Sequence, residues 1–339
     1  MSALRANGWI DVHAHFHTPK TREELEMTAA AMSHFGCFLL PEPFEWTPEL
    51  ALDHMDRWGI AMQLLSNIPK TAELVRISNE YGAELVRRYP SRFGLLAALP
   101  TNDPDAALRE IARADAGLHA DGFAVTCCYG EVYLGDKRLW PVWAELNRRK
   151  ASVFMHPDAV SPPSLGRPAA LLEVAFETTR TVVDMLYAGL FREFPDIRFV
   201  VAHSGAALPA LSGRLALLGA EAWVPNPLGI TSAEITQTVA NLFFDTAATG
   251  SATHLRPAIT AAGKSHLVYG SDCGVPCSTE ATLSRNLLAL LQSDDLSAEE
   301  LQTLGRNAAN LFPSVLARLE ASLSSQGHDH AHAHIGAHA

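Results

Sequence analysis

The sequence lacks long apolar runs: none approaches the roughly 18–20 residues that a membrane-spanning helix needs. Its first residues, Met1 to Trp9, lack the apolar stretch of a secretory signal peptide. Lys and Arg number 26 against 37 Asp and Glu, a formal net charge of −11, and they form no basic block of the kind that nucleic-acid-binding proteins carry. We therefore expect a cytoplasmic protein that binds neither a membrane nor nucleic acid.

Cysteine is also scarce, and its number is odd. The five cysteines are Cys37, Cys127, Cys128, Cys273 and Cys277. Free thiols in a reducing compartment are the expected state of such a set.

Apolar residues make up 48 % and charged residues 19 % of the 339 positions. This balance is that of an ordinary globular protein and excludes a fibrous or disordered chain for the bulk of the sequence.

Short apolar runs recur along the chain, and helical periodicity separates most of them. The runs are Trp9 to Val12, Ile60 to Leu65, Phe93 to Leu99, Phe123 to Cys127, Ser152 to Met155, Arg198 to Ala202, Leu242 to Phe244 and His266 to Tyr269. The helical segments include Ala106 to Ala116, Leu139 to Lys150, Glu173 to Phe194 and Thr279 to Gln292. Eight buried strands alternating with helices predict an α/β fold of the (β/α)₈ TIM-barrel type. The alternative, an open doubly wound sheet, is disfavoured because no glycine-rich phosphate turn follows the first strand.

Two segments interrupt this alternation. Residues 16–57 are too long for a simple connection and carry Pro19, Pro41, Pro43 and Pro48, which predicts an insertion or lid over the barrel mouth. Residues 322–339 hold five of the fifteen histidines and almost no apolar side chains, which predicts a disordered His-rich tail after a barrel domain of residues 1–321. The tail could bind metal weakly, but it is not part of the predicted catalytic site.

Histidine or aspartate follows four of the predicted strands. His13 and His15 end the first strand, His156 the fifth, His203 the sixth and Asp272 the eighth. In a parallel barrel these strand ends share one rim, where the active sites of this fold lie. We therefore expect the five side chains to converge.

The His-x-His spacing of His13 and His15 suits a metal site, because side chains two apart on a strand share a face. Imidazole nitrogens with one carboxylate suit Zn²⁺ or another transition ion such as Mn²⁺, and a water ligand would leave the open position of a catalytic site. The remaining histidines of the barrel have no such pattern and are expected to pack in the core or lie on the surface: His17, His34, His54, His119, His254 and His266.

The motifs stand in the order found in a known family. They are Asp11-Val12-His13-Ala14-His15, Phe154-Met155-His156-Pro157, Ala202-His203-Ser204-Gly205 and Gly270-Ser271-Asp272. Over residues 9–312 the chain resembles the amidohydrolase superfamily. More narrowly it resembles the decarboxylase branch that includes the aminocarboxymuconate semialdehyde, resorcylate and 6-methylsalicylate decarboxylases. The run Trp140 to Arg149, Glu177-Thr178-Thr179 and the run His203 to Arg214 support the branch.

The resemblance implies roles for individual residues. His13, His15, His156 and Asp272 would be the metal ligands, and His203 the base beside the metal. Thr126-Cys127-Cys128 stands where the superfamily usually has a bridging carboxylated lysine, so a single metal is expected. Arg214 matches an arginine that clamps a carboxylate in a neighbouring subunit, which implies a homodimer.

The implied activity is non-oxidative decarboxylation of an aromatic or unsaturated carboxylic acid. The segment Phe38 to Glu45 carries no cation where the aminocarboxymuconate enzyme has arginines, so a hydroxybenzoate-like acid is favoured over a dicarboxylate. Two alternatives remain open at this point. A hydrolase or hydratase of the same fold could use the same ligands to attack a lactone, an amide or a double bond. The His-rich tail alternatively suggests a metal-storage or metal-sensing protein.

Overall fold

Parallel strands alternate with helices in the computed structural model, which describes residues 4–37, 42–158, 166–248 and 250–322. Seven strands form one sheet in which each strand pairs in parallel with its neighbours in sequence. They are β1 (Ile10–His15), β2 (Met62–Ser66), β3 (Phe93–Ala98), β4 (Gly122–Thr126), β5 (Ser152–His156), β6 (Arg198–Val201) and β7 (Phe243–Phe244). A small antiparallel hairpin, Cys128–Tyr129 with Val132–Tyr133, follows β4.

The segment 267–273 closes this sheet into a barrel. On one side the Val268 N–H donates to the Phe244 carbonyl at 2.9 Å, and on the other the Val12 N–H donates to the Tyr269 carbonyl at 2.9 Å. Only isolated bridges, Phe244 to Leu267 and Ala14 to Cys273, are regular enough to count as strand pairing. The predicted eighth strand therefore lies where expected, as an irregular closing segment, and the barrel prediction is confirmed.

Helices connect the strands of the barrel, and further helices follow the closing segment. They include α1 (Arg22–His34), α2 (Pro48–Trp58), α3 (Ala72–Arg88), α4 (Pro104–Arg113), α5 (Trp140–Arg148), α6 (Ala169–Tyr187), α7 (Leu190–Glu193), α8 (Leu208–Leu218), α9 (Ser232–Asn241), α10 (Ala252–Ala262), α11 (Glu280–Leu291), α12 (Ala298–Arg306) and α13 (Ala308–Leu311). The helix predicted over Glu173 to Phe194 is divided into α6 and α7, because Gly189 takes a left-handed conformation at φ 80°. None of the helices in the described ranges is long and apolar enough to cross a membrane.

Residues 16–57, predicted as an insertion, contain two helices. Thr21 and Glu24 form a capping box that begins α1. Thr47 caps α2, which starts with Pro48, ends at the left-handed Gly59 and leads directly into β2. Residues 38–41 of the predicted apolar lid, and residues 323–339 of the predicted tail, lie outside the described residues.

One apolar cluster occupies the barrel interior. It combines side chains from six strands and from the closing segment: Ile10, Val12, Met62, Leu64, Leu96, Ala124, Phe154, Val200 and Val268. The pairing of β1 with β2 shifts between Asp11 and Ala14, so that β1 holds one extra residue there. Such a bulge reverses the inward and outward alternation of a strand. Val12 therefore points into the interior cluster and His13 also faces the barrel axis, whereas Ala14 and Phe16 pack outward against the helices.

Candidate metal centre

Histidine and aspartate side chains from four places in the chain meet at the carboxyl ends of the strands. His13 Nε2 lies 3.1 Å from Asp272 Oδ1 and 3.0 Å from His15 Nε2, and His15 Nε2 lies 3.3 Å from Asp272 Oδ1. One ligand atom each from His13, His156, His203 and Asp272 lie within 4.8 Å of one another. The structure thus brings together all five side chains that the sequence placed at this rim.

Hydrogen bonds on the far side of two imidazole rings determine which nitrogen faces the cluster. His13 Nδ1 lies 2.7 Å from Asp245 Oδ2, and His156 Nδ1 lies 2.7 Å from the Pro157 carbonyl oxygen. A carboxylate and a carbonyl can only accept, so both Nδ1 atoms carry a proton, and Nε2 is the nitrogen of each ring that can offer a lone pair to a metal. Lone pairs that face the Asp272 carboxylate repel it unless a cation lies between them. The donor set therefore fits a divalent metal ion.

The pKa values of the histidines and of Asp272 also indicate that this site favours a positive charge. Burial lowers the pKa of His15 and takes that of His156 well below its usual value. Burial also acts to lower the pKa of His13, but the Asp245 and Asp272 carboxylates outweigh it and raise the pKa to about 10. Burial alone would raise the pKa of Asp272, yet the neighbouring imidazoles hold it well below its usual range. The carboxylates thus favour a positive charge at His13, which a bound metal ion would supply in place of a second proton.

His203 sits beside the cluster on a strained turn. Its Nε2 lies 3.8 Å from Asp272 Oδ2, and its buried Nδ1 has no hydrogen-bond partner among the residues that the structure describes. His203, Ser204, Ala206 and Asp272 all adopt left-handed backbone conformations, with φ between 54° and 64°. Non-glycine residues rarely do so, and such strain concentrates at functional sites. The turn holds the His203 ring beside Asp272, at the edge of the cluster.

The family model described as Amidohydrolase matches residues 10–313. The chain belongs to the amidohydrolase family. It is 32 % identical to decarboxylase yanB of Aspergillus niger over 332 residues, covering 90 % of this chain and 87 % of that protein. It is 31 % identical to 6-methylsalicylic acid decarboxylase of Penicillium expansum over 279 residues, covering 78 % and 84 %. These relatives confirm the decarboxylase branch of the family.

Solved structures confirm the fold of this amidohydrolase-family chain. The structure of dihydroxybenzoic acid decarboxylase from Polaromonas sp. JS666, which has bound manganese, matches with a TM-score of 0.72 at 24 % identity. The match covers 91 % of this chain and 97 % of that one. The two proteins therefore share one barrel architecture over nearly their whole lengths.

Arg214 lies apart from the cluster. It is exposed on α8 and makes no hydrogen bond or ion pair within the described part of the chain. No contact links it to the histidines of its own chain. A role for Arg214 at the metal centre therefore requires a second subunit, and it remains a prediction.

Sequence reasoning missed two charged residues at this rim. Asp245 directly follows β7 and is fully buried against His13. Lys70, in the loop after β2, pairs with Asp158, two residues beyond His156. Asp245 could have been found by the rule already applied to the other strands, because it directly follows the apolar run Leu242 to Phe244. Lys70 supplies a positive charge at this rim, whereas the segment Phe38 to Glu45 carries none.

Burial disfavours the thiolate form of two cysteines near the site. Burial raises the pKa of Cys127, at the end of β4, and of Cys273, beside Asp272, to about 12. Both thiols therefore stay protonated at neutral pH, whereas a metal ligand or nucleophile must be a thiolate. Their burial is that of packing residues.

Proposed function

We propose that this chain is a metal-dependent, non-oxidative decarboxylase of an aromatic carboxylic acid such as a hydroxybenzoate. The observation that carries the proposal is the buried cluster of imidazole lone pairs around Asp272, in a chain whose relatives are named as decarboxylases. His13, His15, His156 and Asp272 would hold the ion. The five cysteines, free in the structure, support a reducing compartment such as the cytoplasm.

The bound ion would supply Lewis acidity toward the carboxylate and a neighbouring oxygen of the acid. The protein supplies orientation and a proton. The carbon–carbon bond to the carboxylate breaks, CO₂ leaves, and the electron pair stays on the ring carbon, which takes up one proton. His203 lies beside Asp272 with a ring that can deliver that proton, either directly or with Asp272 Oδ2. The side chains of His13, His15, His203 and Asp272 are at most 13 % exposed, and such burial strengthens their electrostatic contacts.

The identity of the ion is part of the proposal. We propose Zn²⁺, because three imidazoles and one carboxylate are ligands that this ion prefers. Mn²⁺ accepts the same ligands and is bound in the Polaromonas structure of the same fold. Reconstitution of metal-free protein with each ion, followed by the activity assay, distinguishes them.

The experiment that tests the function pairs metal analysis with a CO₂-release screen. The screen covers hydroxybenzoates, 6-methylsalicylate and an isoorotate-type acid, for the full chain and for a chain ending at Ser322. We expect one tightly bound ion per chain in both proteins and CO₂ from one acid. Bound metal without CO₂ from any acid would favour the hydrolase or hydratase. Loss of most of the metal with the tail would favour a storage or sensing protein.

We further propose that the enzyme is a homodimer in which Arg214 reaches the partner's active site. On α8 and shortly after it, the apolar side chains of Leu211, Leu217 and Trp223 are exposed by 36 %, 75 % and 69 %. Patches of exposed apolar side chains are typical of surfaces that bind another protein. A second copy of the chain would cover them and bring an arginine to the substrate carboxylate.

Arg214→Ala should therefore raise KM for the acid about 10–100-fold, the effect of losing a hydrogen bond to a charged group, and leave the metal content unchanged. Arg285→Ala removes another exposed arginine, on α11, and should change neither. Mixing Arg214→Ala with Asp272→Asn chains tests the dimer directly. If Arg214 acts across the interface, mixed dimers regain one complete site. If mixing restores no activity, Arg214 does not act in the partner's site.

A further inference from the structure

We infer that Asp245 is a positioning residue that couples the metal ligand His13 to the proton-transfer residue His203. Its carboxylate is fully buried and touches both residues. Oδ2 accepts a hydrogen bond from His13 Nδ1 at 2.7 Å. Oδ1 accepts from the backbone N–H of His203 at 2.8 Å and from that of Ala247 at 2.9 Å. The inference rests on the proposed function, because it concerns the same metal centre.

The contact with His13 determines the tautomer of that ring. Because the Asp245 carboxylate can only accept, His13 must carry a proton on Nδ1, so that Nε2 is the nitrogen that can bind a metal. The ring has no other orientation that satisfies both nitrogens, since Nε2 already faces His15 and Asp272. Asp245 therefore determines that Nε2 is the nitrogen of His13 that would bind a metal.

The contacts with the backbone stabilise the turn at His203. That residue takes a left-handed conformation at φ 58°, which an L-residue with a large side chain rarely adopts. The charged oxygen of Asp245 holds its N–H, and the Ser204 hydroxyl donates to the Asp245 carbonyl at 3.0 Å. Charge-assisted hydrogen bonds to backbone N–H groups are among the strong ones. One carboxylate thus fixes both the ligand and the proton donor.

Asp245→Asn tests this arrangement because an amide cannot accept on both sides. If its NH₂ faces His13, the ring must move its proton to Nε2, which then cannot bind metal. If its NH₂ faces the turn, two N–H groups of His203 and Ala247 oppose it. We expect about 10–100-fold weaker metal binding, the usual effect of removing a partner of a ligating histidine, and a changed absorption spectrum of the Co²⁺-loaded protein.

The matched control is Asp121→Asn. Asp121 is also a fully buried carboxylate, but it precedes β4 at the opposite rim and pairs with Arg318. Its variant should lower the melting temperature while the metal affinity and the Co²⁺ spectrum stay unchanged. Folded Asp245→Asn protein with wild-type affinity and an unchanged spectrum would overturn the inference. Asp245→Glu, which restores a carboxylate, should recover part of the affinity.

A second measurement does not depend on whether the variant folds. In Zn²⁺-loaded wild-type protein with ¹⁵N-labelled histidine, the Nδ1 of His13 should carry a slowly exchanging proton. Binding of the metal through His13 Nδ1, or a rapidly exchanging proton there, would overturn the role of Asp245. The two proposals fail in different ways: a wild-type chain that binds no metal at the cluster refutes the proposed function itself. Normal binding in both wild type and Asp245→Asn refutes only the inference.

Discussion

Asp272→Asn should fold, lose its tightly bound ion and release CO₂ at least about 10³-fold more slowly, since a catalytic metal contributes several kcal/mol to the barrier. Asp272 Oδ1 lies within 3.3 Å of both His13 Nε2 and His15 Nε2, so it places a negative charge directly between two of the proposed imidazole ligands. An asparagine amide has the same shape but no negative charge, so it cannot balance the charge of a divalent ion. Metal analysis after dialysis and the CO₂ assay with the acid found in the screen measure both losses.

Asparagine is the appropriate replacement because Asp272 has a backbone φ of 64°. Asn tolerates this left-handed conformation better than Ala, so the variant tests charge and ligation with little added strain. Asp158→Asn is the control at the same rim: that carboxylate pairs with Lys70 and does not belong to the cluster. It should retain its ion. An Asp272→Asn protein that keeps both ion and activity would contradict the proposed ligand set.

Gly270→Ala should damage the site without altering any of its charged groups. A methyl group on Gly270 would lie 2.8 Å from the His13 Cβ and 2.9 Å from the Asp245 Cβ, closer than side chains normally approach. Both neighbours are buried and hydrogen-bonded to each other, so neither can yield cheaply. We expect about 1–3 kcal/mol of lost stability from overpacking, and about 10²-fold lower activity from a displacement near 1 Å at a catalytic group.

Thermal unfolding and steady-state kinetics measure these two effects. Gly117→Ala is the control, since a methyl group there meets no atom within 4 Å. That variant should match the wild type in activity. If Gly270→Ala also matched the wild type in both measurements, the close packing of the closing segment against His13 and Asp245 would not matter for the site.

The barrel and most of the site could be predicted because both depend on a local pattern. Buried parallel strands appear as short apolar runs, and their carboxyl ends must share a rim, so His13, His156, His203 and Asp272 could be brought together from positions far apart in the sequence. The resemblance to the amidohydrolase family then supplied the expected chemistry. The family matches confirmed the decarboxylase branch.

What could not be predicted depends on contacts between distant positions. β7 has only two regular residues, and the role of Asp245 depends on its hydrogen bond with His13, 232 positions earlier in the sequence. The exact path of the closing segment follows from hydrogen bonds to β1 and β7 on its two sides, not from its own pattern. The role of Arg214 on an exposed helix could not be predicted from a single chain for the same reason, because the group that it would contact lies in another molecule.

The extra residue in β1 has a consequence for how this protein can change over evolutionary time. Before the bulge the inward positions belong to the apolar interior, as Val12 shows, and after it they belong to the histidines. Substitutions in the first half of the strand therefore alter packing, and substitutions in the second half alter chemistry. A single strand can thus accumulate changes in its core while its ligands stay in place.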